Sequence, residues 1–145
     1  MYDAVLVPTD GSDGTRTAVE HAIDIATQYD AALHVLYVVD SRVGIAHETT
    51  PDVIFGELEQ QGQDAIDDVV AQAKAASVDP IEGVVAQGDP HRAILDYAEA
   101  EDIDLVVMGT HGRTGLDHYL LGSVTEKVVR LSEVPVLTVP LAADG

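Results

Sequence analysis

Two clusters of residues have the composition to hold an anion. The longer is Gly109-Thr110-His111-Gly112-Arg113-Thr114-Gly115-Leu116-Asp117-His118-Tyr119-Leu120-Leu121-Gly122-Ser123. Its glycines let backbone N–H groups approach oxygen atoms without side-chain interference and permit positive φ. Gly122-Ser123 then opens a helical pattern, whose first N–H groups lack intrahelical acceptors and whose dipole favours negative charge. The shorter cluster is Pro8-Thr9-Asp10-Gly11-Ser12-Asp13-Gly14, with two carboxylates, Asp10 and Asp13, among small residues. Each feature also has a purely structural reading. Asp10 can close an Asx turn, Ser123 and Glu126 can form a capping box, and Gly109, Gly112 and Gly115 can merely punctuate a loop.

Other chemistries find little support. With no cysteine, a disulfide scaffold, a thiolate zinc site and a Cys nucleophile are all excluded. Neither G-x4-G-K-S/T nor G-x-G-x-x-G after the first apolar run is present, and no nucleophile motif supports a Ser-His-Asp set. His21 and His34 have no partners at metal-ligand spacing and are expected to be structural. His111 and His118 share a loop, but no acidic or histidine cluster completes a metal site there. Asp67-Asp68 and Glu99, Glu101 and Asp102 read as solvated faces. Lys127, within a helical segment, is expected to meet solvent or the helix dipole.

The elements that must position the two clusters are legible in the periodicity. Five short apolar runs, Ala4–Pro8, Ala32–Val39, Ile81–Ala86, Leu105–Met108 and Val136–Val139, alternate with four segments of helical period. Several runs are continuous in valine, isoleucine and leucine, as parallel strands covered on both faces require. The helical stripes are Ala18, Val19, Ala22, Ile23, Ala26 and Tyr29; then Leu58, Ala65, Ile66, Val69, Val70 and Ala73; then Ile94, Leu95 and Ala98; and last Val124, Val128 and Leu131. This alternation predicts an α/β layer sandwich, mostly parallel, as one domain spanning residues 1–145. In such a sheet ligands bind beyond the carboxyl ends of the strands, at the point where the winding reverses. Both polar clusters follow strands. The junction after the fourth run, Gly109 to Ser123, is also longer than the roughly two to six residues usual for such connections.

The charge balance narrows the partners. Seven Lys and Arg stand against 26 Asp and Glu, a net charge of −19. The acids are scattered along the chain, so they coat the fold. Docking to a nucleic-acid backbone or an anionic membrane is disfavoured. Self-repulsion on this scale is relieved when molar salt shortens the Debye length to about 3 Å, which points to the interior of a halophile. The opening residues lack a basic leader segment and no apolar run approaches a membrane span, so an intracellular, cytoplasmic location is expected. The run Val136, Leu137, Thr138 and Val139 has no helical pattern after it to cover it. That exposed edge predicts pairing with a second copy across a two-fold axis, limited to a short ladder by Pro135 and Pro140.

Gly109, Gly112, Gly122 and Ser123 fit the spacing G-x2-G-x9-G-S/T and so resemble the nucleotide-binding motif of the universal stress protein family. The opening Val-x-Val-Pro-Thr-Asp-Gly-Ser and the closing Val-Pro-Val-Leu-Thr-Val resemble the same family, and the likeness extends over the whole chain. It implies a three-layer Rossmann-like α/β fold with a five-stranded, mostly parallel sheet, a homodimer, and ATP as ligand, with Mg2+ bound through the phosphates. Carried onto this sequence, it implies that Pro8, Thr9 and Asp10 meet the adenosine, with Asp10 accepting from ribose hydroxyls. Val39 borders adenine, and Met108 and Gly109 flank the nucleoside. Gly112, Gly122, Ser123, Val124 and Thr125 hold phosphates through backbone amides and two hydroxyls, with His111 and Arg113 in the same loop. The family role is nucleotide-responsive regulation in stress response, with slow ATP hydrolysis or autophosphorylation, or a nucleotide-free dimeric interaction module, as alternatives.

Overall fold

The computed structural model describes residues 1–40, 51–110 and 122–140. Among these residues five strands, β1 (Ala4–Pro8), β2 (Ala32–Asp40), β3 (Ile81–Gly88), β4 (Leu105–Gly109) and β5 (Val136–Val139), alternate with four helices. The helices are α1 (Asp13–Tyr29), α2 (Pro51–Ala75), α3 (Pro90–Ala100) and α4 (Ser123–Leu131). β2, β3 and β4 run one or two residues beyond their apolar runs, because backbone pairing continues after the side chains turn polar. The strands lie in the order β3-β2-β1-β4-β5 and every pair is parallel.

Period-two alternation divides the sheet's side chains between two cores. Val5, Val7, Leu33, Val35, Leu105 and Val107 pack with Ala18, Ala22, Ile66, Val69 and Ala73, on the face covered by α1 and α2. Leu6, Leu36, Val106 and Met108 pack with Ile94, Ala98 and Val128, on the face covered by α3 and α4. The result is helix–sheet–helix layering over an aliphatic interior. Small residues permit the close helix–sheet approach. A Cβ added at Gly62 would lie 2.5 Å from Cδ1 of Tyr37, so α2 rests on β2 through that glycine. A Cβ on Gly83 of β3 would strike Ile66 in the same way.

Two stripe residues depart from the periodic expectation. Tyr29 is 45% exposed at the end of α1 and packs edge-on against Tyr2, with ring centroids 5.0 Å apart. Leu131, the last residue of α4, is 47% exposed. Both lie in a final helical turn, where the helix outruns the sheet that would cover it. No helix among the described residues is long and apolar enough to cross a membrane.

Candidate functional site

The strand order places the reversal of winding between β1 and β4, the two strands that carry the polar clusters. β1 and β4 are in register at Val5–Leu105 and Leu6–Val106, so the chain leaves both strands at the same end of the sheet. Beyond β1, the Thr9 N–H donates to the Leu36 carbonyl at 2.9 Å, fixing the turn against β2. The Asp10 carboxylate accepts from the Ser12 N–H at 2.9 Å, from the Ser12 hydroxyl, and from the Thr15 hydroxyl at 3.3 Å. The Asx turn is therefore real, and it holds the carboxylate at the start of α1. Gly11 sits at φ +79°, a conformation that L side chains rarely adopt. Its N–H donates to the Thr9 hydroxyl at 3.1 Å.

Beyond β4, the Thr110 N–H donates to the Val139 carbonyl at 3.0 Å. The chain returns at Gly122, whose N–H donates to the Thr110 carbonyl at 3.2 Å. The buried Thr125 hydroxyl donates to the Gly109 carbonyl at 3.0 Å. These two bonds pin the N-terminus of α4 to the end of β4. Gly122, not Ser123, is the N-cap, and among the described residues no side-chain oxygen caps the helix. The expected capping box is thus absent, because Ser123 already lies inside the helix, one residue too late to cap it. The first intrahelical bond joins the Glu126 N–H to the Gly122 carbonyl at 2.9 Å. By helix geometry the N–H groups of Ser123, Val124 and Thr125 have no acceptor within α4.

Of the residues singled out in the sequence, Pro8, Thr9, Asp10, Met108, Gly109, Gly122, Ser123, Val124 and Thr125 all fall at this end of β1 and β4. Val39 lies near the end of β2, with its side chain buried in the α1–α2 core, so only its main chain can meet a ligand. His111, Gly112 and Arg113 lie outside the described residues. A feature not legible in the sequence is a cavity of about 590 Å³ between α1 and α2. Thr9 and Asp10 line it together with Arg16, Tyr37, Asp64 and Gln72, but Gly109 and Gly122 through Thr125 do not. Asp10 therefore stands between the crevice of the switch point and this groove. The groove depends on how α2 lies across the sheet, which no local motif encodes.

These features define a doubly wound α/β protein with its switch point between β1 and β4. The model of the universal stress protein family matches residues 1–140, and the chain belongs to that family. It is 40% identical over 141 residues to the universal stress protein MJ0531 of Methanocaldococcus jannaschii, covering 96% of this chain and 82% of that protein. Among solved structures it resembles MJ0577 of the same organism, with a TM-score of 0.86 and 31% identity, covering 97% of this chain and 96% of that one. It also resembles a universal stress protein solved in complex with cAMP, with a TM-score of 0.77 and 30% identity, covering 97% of this chain and 99% of that one.

Proposed function

We propose that this universal stress protein binds ATP in the crevice between the ends of β1 and β4, and that the nucleotide acts as a regulatory ligand in stress response. The observation that carries the reading is the helix start of α4, tied to the end of β4 and offering main-chain N–H groups without intrahelical acceptors. In this reading Asp10 accepts from the ribose hydroxyls beside Pro8 and Thr9, Val39 borders the adenine through its main chain, and Met108 and Gly109 flank the nucleoside. Ser123, Val124 and Thr125 hold phosphates by their N–H groups beside Gly122, whose own N–H is given to the Thr110 carbonyl, with His111, Gly112 and Arg113 contributed by the glycine-rich segment that precedes them. Mg2+ reaches the site on the phosphates and needs no dedicated protein cage.

Gly122 supports a ligand here. Its φ of −57° and ψ of 153° are open to any residue, and among the described residues an added Cβ would come no nearer than 4.0 Å to another atom, the Thr110 oxygen. The fold as described gives no reason for glycine at this position, whereas close approach of a phosphate does. The relative solved with cAMP, at 30% identity, extends the support to a nucleotide. We further infer a homodimer through β5, the sheet edge, where Leu137 is 37% exposed and Val129 and Leu131 of α4 add exposed apolar surface. The net charge of −19 supports residence in the cytoplasm of a halophile. Calorimetric titration in molar KCl, with and without Mg2+, should register heat for ATP. No heat for ATP, ADP, AMP or cAMP would remove the reading.

A further inference from the structure

At the opposite end of the strands, away from the crevice, three side chains distant in sequence converge. His34 of β2 and Glu82 of β3 are direct cross-strand partners, and Glu101 is the C-cap of α3. One ring nitrogen of His34 and one carboxylate oxygen from each glutamate lie within 4.8 Å of one another. His34 is buried, while both glutamates reach solvent. Its Nδ1 is 2.7 Å from the Tyr97 hydroxyl and 3.9 Å from Oε2 of Glu82. The His34 and Tyr97 rings meet edge to face with centroids 5.6 Å apart, which fixes the imidazole. Burial, followed by the charges of Glu82 and Glu101, pushes the Tyr97 hydroxyl up to about 12, so both carboxylates act on this neutral group.

The local electrostatics call for a cation. Two carboxylates stand beside the negative end of the α3 dipole, and the last turn of α3 has no basic residue. We propose that His34, Glu82 and Glu101 form a binding site for a divalent transition-metal ion of the zinc class. One imidazole nitrogen with two carboxylate oxygens is a donor set that zinc accepts, and the nitrogen separates it from the all-oxygen sites of Mg2+ and Ca2+. Metal–ligand bonds of roughly 2.0–2.2 Å require donor atoms about 3.4 Å apart. The exposed glutamates reach that spacing by side-chain rotation while His34 stays fixed. The metal takes Nδ1 in place of the Tyr97 hydroxyl, which then donates to a ligating carboxylate and orients it. Three protein ligands leave a coordination position for water. The bound ion would tie β2, β3 and the end of α3 together, independently of any nucleotide.

The test uses the full-length, metal-free chain without nucleotide, titrated with ZnCl2 by calorimetry and followed by thermal melting. One saturable site per chain and a raised Tm are expected. Glu82→Gln with Glu101→Gln should weaken binding at least about tenfold and abolish the Tm gain. Glu57→Gln with Glu59→Gln, exposed on α2 and equal in charge change, should retain both. Glu101→Gln alone carries the same expectation should the first pair fail to fold. Visible absorption from bound Co2+ should appear in the wild type and be lost with the glutamates. The proposal is overturned if zinc shows only many weak, equivalent sites, or if the two double variants bind alike.

Discussion

Gly122 separates a ligand's demands from the fold's. Asp is a better N-cap than Gly by a few tenths of a kcal/mol, so Gly122→Asp should leave the melting temperature unchanged or slightly higher. The same substitution puts a carboxylate where phosphates would lie and should lower ATP affinity by about tenfold or more, about 1.4 kcal/mol. Parallel melting and calorimetry would show the two effects diverging; unchanged affinity would remove phosphates from this helix start. Thr125 predicts the reverse pattern. Its hydroxyl is committed to the Gly109 carbonyl, so Thr125→Val strands a buried acceptor and should cost about 1–3 kcal/mol in denaturant unfolding. Nucleotide affinity should survive, because only the Thr125 main chain is available to a phosphate.

Among the elements, α2 and β5 are the most exposed to single changes. α2 meets β2 through Gly62, where an added Cβ crowds the base of the Tyr37 ring, an atom that no flexible side-chain end can move aside. Alanine improves helix propensity by about 1 kcal/mol, while overpacking costs about 1–3 kcal/mol. Gly62→Ala should therefore be net destabilising in thermal melts, although propensity alone predicts the opposite. β5 carries the assembly prediction. Leu137→Lys places charge on an exposed apolar edge and should shift sedimentation from dimer toward monomer. A monomeric wild type at high chain concentration in molar KCl would dispose of the dimer itself.

For the whole molecule, charge is the governing quantity. With a net −19, the folded state concentrates like charges that the unfolded chain spreads apart. Raising KCl from about 0.1 M to about 1 M shortens the Debye length from about 10 Å to about 3 Å. The melting temperature should climb over that range, and a stability maximum at low salt would contradict the halophilic reading. Nucleotide association should lack electrostatic steering, so its on-rate should rise with salt.

The sequence by itself determined the five strands, the four helices, the layering and the two polar junctions, because these follow from local periodicity and from glycine, proline and capping chemistry. It also placed Asp10 just beyond the end of β1 and Gly122 at the start of α4. Tertiary structure alone decided that Gly122 and not Ser123 caps α4, that the Thr125 hydroxyl turns inward to Gly109, and that Leu131 lies open at the end of α4. It alone brought His34, Glu82 and Glu101 together and opened the groove between α1 and α2. Those outcomes depend on strand order and on how helices lie across the sheet. Such long-range packing leaves no mark in the spacing of neighbouring residues.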